Sequence, residues 1–161
     1  MGHLMDDKAT TIKVFAGRSP TGIVQEELLV LPIGENKFKL LKSPGLAMDM
    51  AKDDIIELVS EESPPLVQKR GGNFCIHVYS DFMPTSEIEK LEKLVVENLR
   101  GSLDGIYEGN LTFSVPSSAG VERIKNSFDE FTRRTGIQWY YSNIYKNPQN
   151  SSDETLLNWW E

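Results

Sequence analysis

A chain of 161 residues with 39% apolar and 25% charged side chains has the composition of an ordinary globular protein. At this size folding buries roughly 70% of the surface of the extended chain, enough for a core without disulfide or metal staples. The 24 acidic and 17 basic side chains leave a formal charge of −7, which argues against nucleic acid: a polyphosphate must be met by clustered Lys and Arg, and the densest basic groups are the dipeptides Lys69-Arg70 and Arg133-Arg134. No apolar run approaches the roughly 20 residues of a spanning helix, the N-terminus lacks a secretory pattern, and Cys75 is the single cysteine. The expectation is a cytoplasmic protein with no membrane segment and no internal disulfide.

In chain order, residues 1–4 read as a cloning remnant ahead of a native start at Met5, and residues 1–10 as a disordered N-terminus. Residues 11–72 read as a β-rich module with strands at 11–16, 23–33, 37–42, 55–59 and 66–70, separated by Gly, Pro and Asn turn signals. Lys37 and Lys39 alternate with Phe38 and Leu40, as in a half-buried strand. Five short strands in so few residues suggest a small barrel or a strongly bent sheet.

After Gly71-Gly72 the punctuation of residues 73–147 spells strand, helix, strand, strand, helix, strand. Phe74, Ile76 and Val78 share one face of the first strand, and Cys75, His77 and Tyr79 the other. Ser86 and Glu89 form an expected capping box at the start of a helix whose apolar stripe is Ile88, Leu91, Val95 and Leu99, with Gly101 at its end. Strands at 105–108 and 111–115 meet through Gly109-Asn110. Pro116-Ser117-Ser118 is expected to cap a second helix, striped with Val121, Ile124, Phe128 and Phe131 and closed by Gly136, before a strand at 137–145. The fold class expected is therefore α+β, a barrel-like N-terminal module followed by a ferredoxin-like βαββαβ sandwich with both helices on one sheet face. The other face then needs a cover or a ligand. In the tail, residues 148–161, Ser151 and Glu154 would cap a short helix carrying Leu156, Trp159 and Trp160 on its apolar side.

No catalytic constellation stands out. Cys75 and His77 share a strand face, yet a closed zinc site needs four ligands and this chain has one Cys and, outside the remnant, one His; both read as structural. Glu26-Glu27, Asp53-Asp54 and Glu61-Glu62 are neighbours that point apart in a strand, and Asp49 with Asp53 across one helical turn makes only a weak cation site. The expectation is no enzyme, metal or cofactor. The sheet face of Tyr79, Thr112, Ser114, Gln138 and Tyr140 lacks the basic-aromatic run of an RNA platform. Candidate partner contacts are Glu87, Glu89, Glu92 and Glu97 on the first helix, and Trp159 and Trp160, which either pack back on the body or anchor a partner.

Three segments carry a resemblance: the run from Asn36 to Pro44 (Asn-Lys-Phe-Lys-Leu-Leu-Lys-Ser-Pro), Asp54-Ile55-Ile56-Glu57, and Gly71-Gly-Asn-Phe-Cys-Ile-His-Val78. Together they resemble a family of small bacterial proteins, the domain of unknown function 4265, over about residues 23–145. The resemblance implies structural elements, a strand into a Pro turn, an acidic turn and a Gly-rich strand entry, and no catalytic residue. Small acidic bacterial proteins of this kind are similar to immunity partners of secreted toxins. The functional expectation is a non-enzymatic binding protein, monomer or homodimer, most concretely an immunity protein that occludes a basic toxin domain through an acidic surface. The alternative is a ligand-sensing or regulatory domain acting as a dimer.

Overall fold

The computed structural model describes residues 8–161. The expected cloning remnant lies outside the described residues, as does most of the expected disordered N-terminus; Thr10 already begins a strand. Among the described residues the protein is α+β, with nine strands in two antiparallel sheets and two α-helices.

The first sheet is a meander in which β1 (Thr10–Ser19), β2 (Gly22–Gly34), β3 (Lys37–Leu40), β4 (Ile55–Glu57) and β5 (Leu66–Lys69) each pair with the next. Its alternation buries Val14, Leu28, Val30, Leu40 and Ile56 on one side, where Ala47 and Met50 from the loop 41–54 complete a small core. β1 and β5 are the edges of this sheet, without the pairing between them that the expected barrel-like closure requires. Strands of three or four residues at β3, β4 and β5 are too short to carry the sheet round on itself.

The second sheet has the order β7-β8-β6-β9, built from β6 (Asn73–Tyr79), β7 (Ser102–Tyr107), β8 (Asn110–Pro116) and β9 (Trp139–Tyr141). Its register pairs Phe74 with Val115, Ile76 with Phe113 and Val78 with Leu111, so the two central strands present one wholly apolar face. Helix α1 (Thr85–Leu99) lays Leu91, Val95 and Leu99 on that face, and α2 (Val121–Thr135) lays Ile124, Phe128 and Phe131 there. These stripes follow the three-and-four spacing of the sequence, except that Val121 stays 43% exposed at the first turn.

Local details depart from the sequence reading. No Ser86–Glu89 capping box forms: Pro84 is the N-cap of α1 and no side chain caps it. At the other end Arg100, with φ 59°, takes the left-handed position, while Gly101 is needed because a Cβ there would lie 2.4 Å from the Ser114 carbonyl oxygen. The hairpin turn is Glu108-Gly109, not Gly109-Asn110; both central residues have positive φ, 46° and 85°, as a type I′ turn demands, and Tyr107 pairs with Asn110. A 3-10 turn, Ser117–Ala119, precedes α2, so Pro116-Ser117-Ser118 does not cap that helix directly.

The expected last strand at 137–145 shrinks to β9, because Ser142 and Asn143 turn inward and are buried. The expected C-terminal aromatic helix is absent. The tail instead returns as an extended strap with a single bridge, Tyr145 to Leu156, and hydrogen bonds from Lys146 N to Thr155 O (2.9 Å) and Leu157 N to Ile144 O (2.8 Å). This strap seats both tryptophans on the core: Trp159 and Trp160 lie 4.9 and 5.5 Å from the Phe74 ring, and Trp159 Nε1 donates to Asn143 O at 2.8 Å. Removing a ring packed this way costs about 3 kcal/mol. Trp159→Ala is therefore expected to lower the urea midpoint substantially; an unchanged midpoint contradicts a structural role for the strap.

Candidate functional site

The same period of two that buries Phe74, Ile76 and Val78 points Cys75, His77 and Tyr79 to the opposite face, opposite Ser114, Thr112 and Asn110 on β8. This polar face is covered largely by the loop 41–54. Its docking is a directed run of hydrogen bonds: Lys52 N–H donates to Ser43 Oγ (2.9 Å), Ser43 Oγ lies 2.6 Å from Ser114 Oγ, and Ser114 Oγ donates to the Asp104 carboxylate. Asp104 also accepts from Ser43 N (2.8 Å) and Ser102 Oγ (2.6 Å). From the first sheet, Glu26 receives the N–H groups of Gly45, Leu46 and Ala47 at 2.8, 2.9 and 2.7 Å. The loop is thus pinned to both sheets by carboxylates, each accepting several charge-assisted hydrogen bonds.

Asp54, with no exposed surface, closes the far end of this loop by accepting from Ala51 N (3.0 Å) and Gly71 N (2.8 Å). Burial pushes its carboxyl up to about 6, against the pull of those donors and of Arg70. Arg70 donates to Asp49 O and Asp49 Oδ1, both at 2.8 Å. The expected meeting of Asp49 and Asp53 across a helical turn does not occur: both have positive φ, 68° and 73°, outside any helix. Asp49 faces Arg70 and Asp53 accepts from Asn73. Among the described residues no group of three or more His, Cys, Asp or Glu side chains is arranged to hold a metal.

Beside the loop, a cleft of about 430 Å³ remains open on the polar face. His77 and Ser142 lie at its floor, Tyr140 and Tyr145 along it, Leu46 and Met48 on the loop side, and Asp153 and Glu154 on the tail side. The Tyr140 ring stacks on His77 with centroids 5.3 Å apart and planes 27° apart. His77 Nε2 is 3.4 Å from Cys75 Sγ and its Nδ1 is 3.3 Å from Thr112 Oγ1. Burial lowers the His77 pKa, opposed by the Asn110 side chain, and burial pushes the Cys75 thiol up to about 12. Both groups are therefore neutral near pH 7, and a thiol in that state is a poor nucleophile. Ser142 also lines the cleft, whereas the Tyr141 ring packs on the helix side against Phe74 and Trp139, with its hydroxyl buried there.

The remaining candidates lie elsewhere. Glu87 is engaged by Arg134 at 3.2 Å, Glu92 is half-buried, and Glu89 and Glu97 are exposed, all on α1, behind the sheet from the cleft. Glu89 makes no ion pair with Lys93; the i,i+4 pair of this layer is Lys125–Asp129 at 2.6 Å on α2. Trp159 and Trp160 belong to the apolar core of the helix side. Thr112 and Ser114, part of the face expected to be free, are buried beneath the loop. The anchoring roles of Glu26, Asp54 and Asp104 carried no local sequence signal, because each accepts from an N–H 17 to 61 residues away, those of Gly45, Gly71 and Ser43.

No helix among the described residues is long and apolar enough to cross a membrane. The chain matches the family described as Domain of unknown function (DUF4265) over residues 26–139. Among solved structures it is similar to a hypothetical protein from Neisseria gonorrhoeae, with a TM-score of 0.60 at 17% identity over 84% of this chain and 94% of that one. This likeness is one of fold. No curated protein matches.

The lowered pKa of His77 has a measurable sign. A histidine whose folded-state pKa lies below 6.5 stabilises the fold above that value and loses its contribution as pH falls through the folded pKa. Asp54 runs the other way, its contribution present below 3.8 and lost as pH rises through about 6. Because Asp54 is common to wild type and His77→Gln, it cancels in their comparison. Denaturation midpoints should drop further between pH 7 and pH 5 for the wild type than for His77→Gln.

Proposed function

Since the chain belongs to the DUF4265 family, whose description assigns no chemistry, we propose on physical grounds that the protein is a non-enzymatic, ligand-binding regulatory domain acting through the cleft beside His77. The observation that carries this reading is the cleft itself. Its volume of about 430 Å³ falls within the roughly 300–1,000 Å³ of small-molecule sites, and its lining combines aromatic walls with a few polar groups. Its polar lining includes Asn147, Asn150, Asp153 and Glu154.

The order β7-β8-β6-β9, with helices packed on one face, is read here as a ferredoxin-like arrangement, whose second face is free for another use. In this chain the loop 41–54 takes part of that face and leaves the cleft at its side. Occupancy of the cleft would bear on Leu46 and Met48, in a loop that Glu26 ties to the first sheet and Ser43 to the second, which supports a regulatory use. A buried, protonated Cys75 supports binding over nucleophilic catalysis. The cleft is complete within one chain, so this reading needs no dimer seam. A single cysteine suits the reducing cytoplasm, the setting proposed.

A fragment screen by amide chemical-shift perturbation is the test. Binders are expected to move the resonances of Tyr140 and Ser142 and to lose affinity in Tyr140→Ala. Hits that cluster away from both residues, or an absence of hits, contradict the proposal.

A second reading, an immunity protein that blocks a basic toxin domain, is supported by Glu89 and Glu97, which are exposed on α1 and outside every ion pair among the described residues. Its contacts lie behind the sheet from the cleft, so the two readings separate cleanly. Steered association slows as salt rises; an on-rate for such a partner that ignores both ionic strength and the double change Glu89→Gln, Glu97→Gln contradicts it.

A further inference from the structure

The charges around the cleft are one-sided. Asp153 and Glu154 line it, and neither Lys nor Arg does. Asp153 accepts from Thr155 N (3.0 Å), Thr155 Oγ1 (2.6 Å) and Asn147 Nδ2 (2.5 Å); the Thr155 and Asn147 side chains hold its carboxyl at about 2, so this rim is negative across the physiological range. Glu154 makes no hydrogen bond or ion pair among the described residues and is exposed. Lys146 is the cation whose charge reaches Asp153, but it is not part of the lining. His77, held neutral by burial, adds no positive charge from below.

The walls add a second, independent preference. Tyr140 has one ring face on His77 and is 54% exposed; Tyr145 also lines the cleft. Electron-rich ring faces attract a cation placed over them, most strongly where water is partly excluded. An anionic ligand would meet two carboxylates and no compensating cation, and would bear the desolvation cost of its charge unassisted.

We infer, building on the reading of the cleft as a ligand site, that its occupant is a small organic cation: a flat apolar body lying between the Tyr140 ring and the Leu46 and Met48 side chains, with an ammonium or guanidinium group toward the Asp153–Glu154 rim. The residues that set this preference, Tyr140, Tyr145, Asp153 and Glu154, all lie beyond residue 139, where the family match ends. Recognition of a cation is thus a property of β9 and the C-terminal strap, placed over a floor that the matched region supplies through His77.

Three probes with a shared phenyl body test the inference on the full chain by amide chemical-shift titration at pH 7: phenethylammonium, 2-phenylethanol and 3-phenylpropionate. The cation is expected to bind about tenfold more tightly than the alcohol, on the scale of a partly desolvated cation–π contact, and the carboxylate more weakly than either. Glu154→Gln, at an exposed position without hydrogen bonds, should weaken the cation severalfold and leave the alcohol unchanged. Tyr140→Leu, which keeps apolar bulk, should cost the cation more than the alcohol. Equal or tighter binding of the alcohol or the carboxylate overturns the cation inference while leaving the cleft a ligand site. If no probe moves the Tyr140 or Ser142 resonances, both the inference and the reading beneath it fall.

Discussion

The carboxylate of Asp104 ends a chain of hydrogen bonds that runs from the backbone of Lys52 through two serine hydroxyls, and the arrangement of the whole polar face follows from it. Each hydroxyl in that chain has its proton direction decided, because an ionised carboxylate only accepts. Every donor is used, and breaking one link strands buried polar atoms at about 1–3 kcal/mol each. The loop 41–54 therefore has one favoured position on the second sheet. The cleft exists because the loop stops where it does, leaving His77 and Tyr140 at its margin.

Glu26 and Asp54 do the same work at the loop's two ends, toward the first sheet and toward the link between the sheets. Three carboxylates thus face inward in a protein whose composition suggests acidic groups displayed to solvent. The net charge of −7 consequently overstates the chain's acidic surface. Asp54 shows the cost most plainly: its burial opposes its charge even with two backbone donors and a guanidinium nearby. Among the acidic groups that remain outside, those of α1 lie on one side of the sheet and the Asp153–Glu154 rim on the other, and that separation keeps the two functional readings apart in space.

The two faces of the second sheet differ in kind. The apolar face is fully enclosed by α1, α2 and the tryptophan strap, and such close-packed interiors tolerate little change. The polar face carries the hydrogen bonds of the docked loop and, beside them, the open cleft. At about 430 Å³ it exceeds the cleft of about 250 Å³ beside Glu26, Glu27 and Asp104.

The amino-acid sequence alone determined the elements whose cause is local. Alternation in Phe74 to Val78, the stripes Leu91-Val95-Leu99 and Ile124-Phe128-Phe131, and Gly136 as a left-handed cap were all legible, since each depends on neighbours within a few residues. It also indicated that the face of Cys75 and His77 needed a cover. Only tertiary structure decided what the cover is. Ser43, Glu26 and Asp104 meet through contacts 19 to 71 residues apart in the chain, which no local period encodes. The tail illustrates the same limit: Ser151 and Glu154 read as a helix cap, yet bridging to Tyr145 and stacking on Phe74 hold the strap extended, because burying two tryptophans outweighs the weak preference of a short helix. The cleft lies where that strap and the docked loop fall short of each other, so its walls come from three distant segments and its existence is a consequence of packing.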